Sequence, residues 1–430
     1  MFEALINAFR APDIRRRILF VLGMLVVYRA LAVVPVPNVD HQAVAGLIES
    51  QTFLQLLDLF SGGGLSSFSI VAMGVNPYIN ASIIMQLMQG VVPRLQALSR
   101  EGEYGRTRLN QYTRYLTVPL ALLQAYGYLA ILSASNIVPP IDILDPTTLT
   151  QMITLAAGTI LAMWIGELIT ERGIGNGISF IIFAGIVARV PQGIAAYLAQ
   201  PDIAGGVAFV ILALVVVAVI VYIQEGQRRI PVQYASRVRG RRMYQGGATF
   251  LPLRVNQAGV IPIIFAVSIL LFPTQIASYF ATPPGAQPNL VNQIADGVVG
   301  FLSPQGIPYI VGYFLLTMGF TYFYTAFTFK PDETADQLRK NGGFIPGIRP
   351  GAPTRDYLQK VVFRLSLAGA IFLALIAVSP IVLSNLFRGG VVGGFALGGT
   401  ALLIVVSVVV ETMKQIEAQL MMRNYEGFIR

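Results

Sequence analysis

The sequence contains no cysteine and a single histidine, His41. Disulfides, thiolate nucleophiles, haem attachment and thiolate-bound zinc or iron–sulfur sites are thereby excluded, and one imidazole cannot assemble a histidine metal cluster. A metal site would need carboxylates alone, and charge is scarce: charged residues make up 12% of the 430, against roughly 25% in soluble domains. Acidic residues are the scarcer sign, 21 against 30 lysines and arginines, for a formal charge of +9. That excess points to an acidic partner or an anionic membrane surface. Also missing are HExxH, GxSxG, a Walker A loop and a GxGxxG in a strand-turn-helix setting; Gly173 and Gly175 to Gly177 in ERGIGNG fall in a short turn between apolar runs. No enzyme, metal or cofactor is therefore expected. What is abundant is apolar: 55% of residues are hydrophobic and the mean hydropathy is +0.66, which argues against both a soluble domain and a disordered chain.

A bilayer crossing takes about 20 mostly apolar helical residues. Ten such runs occur, near 18–35, 75–93, 115–135, 151–170, 178–198, 207–225, 258–280, 308–329, 361–386 and 394–412. They are continuous rather than alternating, which suits helices and not an outer-membrane barrel. With ten spans, every lysine and arginine except Arg29, Arg189 and Arg388 falls on one side, so the positive-inside rule predicts cytoplasmic N and C termini. Arg15 to Arg17 before an apolar run could mark a cleavable signal peptide, but Arg29 interrupts its end and the segment reads better as a retained span.

Several segments do not behave as plain spans. Residues 53–74, TFLQLLDLFSGGGLSSFSIVAM, are broken by Gly62, Gly63 and Gly64 and seeded with Asp58, Ser61, Ser66, Ser67 and Ser69. Such backbone is tolerated at membrane depth only where protein or a water-filled cavity satisfies it, so a short re-entrant helix over 53–70 is expected ahead of the span from Val75. An amphipathic helix on the outer surface is the alternative. Glu167, Glu225 and Glu411 lie near span ends and are expected to snorkel; Arg29 and Arg189 are less easily placed. No span carries a midplane carboxylate pair, which weighs against the alternative function, a secondary transporter of a small solute. Two long loops, about 226–257 and 330–360, are basic. The first reads as a projecting hairpin bearing Arg241 and Arg242; in the second, NGGFIPGIRPGAP packs three prolines and four glycines around Arg349. A tip fixed by proline loses less entropy on docking, and arginine suits phosphate or carboxylate, so these arginines read as a docking surface for RNA or an acidic protein face.

These segments resemble the SecY family, the central channel subunit of the bacterial Sec protein translocon. The resemblance rests on FSGG at Phe60 to Gly63, NQYTRY at Asn110 to Tyr115, TERGIGNGIS at Thr170 to Ser179, AGVIPIIFA at Ala258 to Ala266, GFIPGIRPG at Gly343 to Gly351 and GGTALLIVV at Gly398 to Val406. It implies an all-α polytopic membrane protein with ten transmembrane helices in two inverted-repeat halves of five, residues 1–200 and 201–430. It also implies a plug at Phe60, Ser61, Gly62, Gly63, Gly64, Leu65, Ser66 and Ser67 and a pore ring of Val75, Ile79, Ile178, Ile182, Ile264 and Ile404. A collar of branched apolar side chains offers a passing chain no fixed hydrogen-bond pattern and resists leakage by dewetting. The implied activity is passive conduction of secretory proteins across the bacterial plasma membrane, with lateral release of membrane proteins. Implied partners are the membrane subunits SecE and SecG, the SecA motor ATPase, the ribosome through its RNA and proteins, signal-sequence-bearing polypeptides and membrane lipids. Asn76 and Asn80 in GVNPYINAS depart from the family's apolar or small residues. A carboxamide there could face the seventh span across a lateral gate, or hydrate the pore.

Overall fold

Proline punctuates the helix starts. It occupies the first turn of eight helices, where its missing N–H costs no hydrogen bond and its fixed φ suits helical geometry. The structure, a computed structural model, describes residues 9–50, 54, 58, 61–135, 137–142, 145–199, 203–234, 237–239, 242–244, 247–280, 289–303, 306–386 and 398–429. In order these form α1 (Pro12–Leu31), α2 (His41–Ser50), α3 (Asn76–Val91), α4 (Pro93–Ser99), α5 (Glu103–Ala134), α6 (Pro146–Arg172), α7 (Gly177–Ala199) and α8 (Ile203–Glu225). Strands β1 (Gln227–Tyr234), β2 (Arg237–Arg239), β3 (Arg242–Tyr244) and β4 (Ala248–Arg254) follow. Then come α9 (Ile261–Tyr279), α10 (Leu290–Phe301), α11 (Ile307–Thr328), α12 (Pro331–Lys340), β5 (Gly343–Phe344), α13 (Ala352–Leu386) and α14 (Gly398–Ile429).

Helices α1, α3, α5 to α9, α11, α13 and α14 coincide with the ten expected spans. Several extend beyond the apolar run, since a helix need not stop where the hydrocarbon does: α5 begins at Glu103 and α14 continues to Ile429. Stretches within α5, α6, α9, α11 and α13 are by length and composition alone apolar enough to cross a bilayer. The chain is a membrane protein, and its exterior fits one: Val207, Val210, Ile211, Leu214, Val215 and Val219 of α8 are all exposed, a cost in water but none against lipid tails.

Five helix pairings recur between the halves. The neighbours α1 and α7 correspond to α8 and α14; α3 and α5 to α9 and α11; α5 and α6 to α11 and α13; α6 and α7 to α13 and α14; α3 and α6 to α9 and α13. This is the packing expected of two structural repeats of five spans. The halves meet along two seams, α3 and α5 against α9, and α7 against α14. One apolar core runs through both.

The basic loops build a separate small module. β1 pairs antiparallel with β4, from Gln227 opposite Arg254 to Gln233 opposite Ala248, and β5 adds to the other edge of β1 through Gln233 and Tyr234. Ile230 and Val232 alternate with exposed neighbours along β1 and bury against Leu253, Leu338, Ile345 and Leu358. The expected hairpin is present, and it is tied by β5 to the loop that carries Arg349.

Candidate pore, plug and docking surface

The segment before α3 begins helical, at Leu54 and Asp58, and is not a surface element. From 61 to 75 the chain runs as successive turns with a bridge from Ser69 to Pro35, so the expected helix over 53–70 holds at its described residues 54 and 58 and is corrected over 61–70. Phe60 lies outside the described residues. Gly62, Gly63 and Gly74 have φ of 73°, 83° and 53°, left-handed values that only glycine adopts freely. Serine side chains compete with helical bonding by turning back on the backbone: Ser66 Oγ donates to Gly63 O at 2.9 Å and Ser69 Oγ to Gly64 O at 3.1 Å. The outer-surface alternative fails on burial, because Leu65, Phe68, Val71, Ala72 and Met73 are at most 2% exposed and belong to the main core.

The loop is held by its neighbours at backbone distance. Ile70 N donates to Val34 O and Val36 N to Phe68 O, at 2.9 and 3.0 Å. Tyr28 Oη donates to Ser61 O at 2.9 Å, and Ser67 Oγ to Ala32 O at 2.9 Å. A Cβ on Gly158 of α6 would collide with the Ile70 carbonyl oxygen, and one on Gly185 of α7 with Gly62 Cα. Gly158→Ala is therefore expected to cost about 1 to 3 kcal/mol by overpacking, read as a lower Tm of the detergent-solubilised chain; an unchanged Tm would contradict this seating of the loop on α6. Arg29 and Arg189, unexplained by sequence, both reach this loop: Arg29 Nη1 donates to Gly62 O at 3.0 Å and Arg189 pairs with Asp58.

The six ring candidates all fall in the core that spans both halves. Val75, Ile79, Ile182, Ile264 and Ile404 are buried, and Ile178 is partly buried against it. Val75 sits at the junction of the turn segment and α3. The Ile178 Cγ1 atom also packs against Gly166 of α6, 3.3 Å from where a Cβ there would lie.

Asn76 and Asn80 face the α3–α9 seam. With Gln124 and Tyr128 of α5 and Ser268 and Gln275 of α9 they line a cavity of about 20 Å³, room for about one water. The amide nitrogens of Asn76, Gln124 and Gln275 are buried without a partner. Gln124, Tyr128, Ser268 and Gln275 were not singled out from sequence. The available signal was spacing, since Ser268 and Gln275 lie two turns apart on one face of an apolar helix.

Below this seam, on the basic face, an open cavity of about 870 Å³ is lined by Gln86 and Gln89 of α3, Asn110 of α5 and Asp332 and Glu333 of α12. A second, of about 240 Å³, is lined by Asn176, Gln224, Asn256, Ser407, Glu411 and Lys414. Two of the glutamates expected to snorkel have a cation partner: Glu167 accepts from Arg114 Nε at 2.8 Å, and Glu225 from Lys414 Nζ at 2.9 Å.

Arg349 stands exposed on a fixed tip. Its carbonyl accepts from Thr354 Oγ1 at 2.8 Å, Thr354 is buried, and Ile348 N donates to Ile345 O at 3.0 Å. Ile345 is anchored in the module core while Gly347 and Gly351 take φ of 81° and 103° to turn the chain on either side. Arg242 opens β3; its side chain, like all of Arg241, lies outside the described residues.

Comparison with known proteins matches residues 69–413 to the family model described as SecY. A relative from Mycobacterium tuberculosis named "Protein translocase subunit SecY" is 46% identical over 447 residues, covering all of both chains. Among solved structures, "The structure of a protein conducting channel" aligns with a TM-score of 0.63 at 17% identity, over 93% of this chain and 91% of that one. Another, in which "the plug domain of the SecY protein" is described as stabilising the closed state, aligns at 0.61 and 18%, with the same coverage.

Proposed function

Because this chain belongs to the SecY family, we propose that it is the central subunit of a Sec-type translocon, a passive channel that passes secretory proteins across the plasma membrane and releases membrane proteins sideways into it. The observation that carries this reading is the buried turn segment 61–75, a polar and glycine-rich strip held inside a lipid-facing bundle at the start of α3. A solute carrier would need an ion or substrate site at that depth. Here serines and an aspartate serve the loop itself.

In this reading residues 53–70 are the plug, and Val75, Ile79, Ile178, Ile182, Ile264 and Ile404 form the constriction above it. The halves, 1–200 and 201–430, part along the α3–α9 seam, where Asn76 and Asn80 belong to the lateral gate. The closed seam leaves three buried amide nitrogens without an acceptor, and opening it to the aqueous pore lets water satisfy them, so it is held less firmly than a seam of matched apolar surfaces. The basic face is cytoplasmic, with both termini on it. Nothing in the sequence supplies a nucleotide site, so the driving force comes from the SecA motor or the ribosome, docked on Arg241, Arg242 and Arg349. SecE and SecG complete the membrane complex.

Deleting Phe60 to Ser67 is expected to raise the resting ion conductance of purified, partner-free channels in planar bilayers. Conductance equal to the parent would remove the plug from this account.

A further inference from the structure

We propose that Asp58, Arg189 and Arg29 form a charge latch that holds the plug loop shut; the inference rests on the plug reading above and names the side chains that set its strength. Arg29 and Arg189 are two of the three basic residues that break the one-sided charge pattern of the chain. They come from α1 and α7, and both reach one turn: a Cβ on Gly63 would lie 3.6 Å from Arg189 Nε and 3.7 Å from Arg29 Nη1.

Asp58 works with both oxygens. Its Oδ1 accepts from Leu65 N at 3.0 Å, Ser66 N at 2.9 Å and Ser61 Oγ at 3.3 Å, which shapes the loop. Its Oδ2 pairs with Arg189, which ties the loop to α7. The Asp58 side chain is 1% exposed and that of Arg189 28%. Removing one partner of such a buried pair leaves the other charge desolvated and unpaired, which is far more costly than the net worth of the pair. The loop cannot leave without doing this, since Asp58 departs with it while Arg189 stays on α7. Asp58 pairs with Arg189, while the neighbouring guanidinium of Arg29 is satisfied by the Gly62 carbonyl. Loss of the Asp58 charge therefore leaves two like charges facing each other.

The latch makes an ordering that a loop-shaping role does not. Asp58→Asn keeps an oxygen for the Leu65 and Ser66 amides and removes only the charge. It is expected to raise the resting open probability of partner-free channels by about tenfold or more. Arg189→Gln raises it less, because Arg29 is at hand for the carboxylate. Asp58→Asn combined with Arg189→Gln falls below Asp58→Asn alone, since the second change relieves the repulsion between arginines. Single-channel recording of the three variants beside the Phe60 to Ser67 deletion separates the possible failures. If the deletion leaks while Asp58→Asn and Arg189→Gln stay at the parental level, the latch is overturned and the plug stands. If the deletion itself is silent, the plug reading falls and the latch with it. Should Asp58→Asn fail to accumulate, Arg189→Gln decides alone: leakage above the parent supports the latch and parental conductance overturns it.

Discussion

Arg349→Glu is expected to abolish motor-driven translocation while leaving the chain folded in the membrane. The side chain is exposed, so the substitution removes no packing, but its backbone is fixed by the Thr354 hydroxyl, by Ile345 in the module core and by two left-handed glycines. A partner that meets this tip pays little ordering entropy, so most of the contact energy appears as affinity. Losing an arginine from a desolvated contact typically costs about 2 to 5 kcal/mol, and a carboxylate in its place adds repulsion from the acidic partner. ATP-dependent import into proteoliposomes should fall to background, with the Tm of the purified chain unchanged. Normal import by Arg349→Glu would refute the docking role.

Ile264→Asn is expected to leak ions at rest and to relax the demand for a good signal sequence, whereas Ile264→Leu is nearly silent. Ile264 is 7% exposed, on the helix that forms one side of the α3–α9 seam. If it lines the constriction, the seal depends on apolar surface that water enters reluctantly, and one carboxamide gives water an anchor there. Leucine keeps volume and polarity and costs less than about 1.5 kcal/mol. A residue that only packs the core predicts a different order of symptoms: lost stability first and no conductance in the protein that survives. Single-channel recording alongside the Tm of the asparagine variant distinguishes them, and a destabilised but electrically tight channel would take Ile264 out of the pore.

The spans were legible because each is written locally, as a continuous apolar run with charge or proline at its ends. The positive-inside pattern could be summed loop by loop without knowing any contact. What stayed hidden depends on residues distant in sequence. Arg29 and Arg189 look misplaced until the loop with Asp58 and Gly62 is seen against them, and the cation partners of Glu167 and Glu225, Arg114 and Lys414, arrive from other helices. The glycines and serines of 61–69 did announce a broken segment. They did not announce that the break was complete, because side-chain bonds back to the loop and a carboxylate spanning Leu65 and Ser66 replaced the helical ladder. The seam glutamines carry no motif at all. The sheet shows the same division: the β1–β4 hairpin follows from composition, while the β5 strand that brings the Arg349 loop to its edge does not.

The central claim is that this chain conducts unfolded polypeptide. The most direct measurement reconstitutes it with the proposed small membrane subunits in proteoliposomes, adds an ATP-driven motor and a presequence-bearing protein, and asks how much of that protein becomes resistant to external protease. The account predicts ATP-dependent protection that requires both the channel and the presequence, and that Arg349→Glu removes. Protection that is absent with active motor and correctly inserted channel, or that is unchanged when the channel is left out, would contradict it.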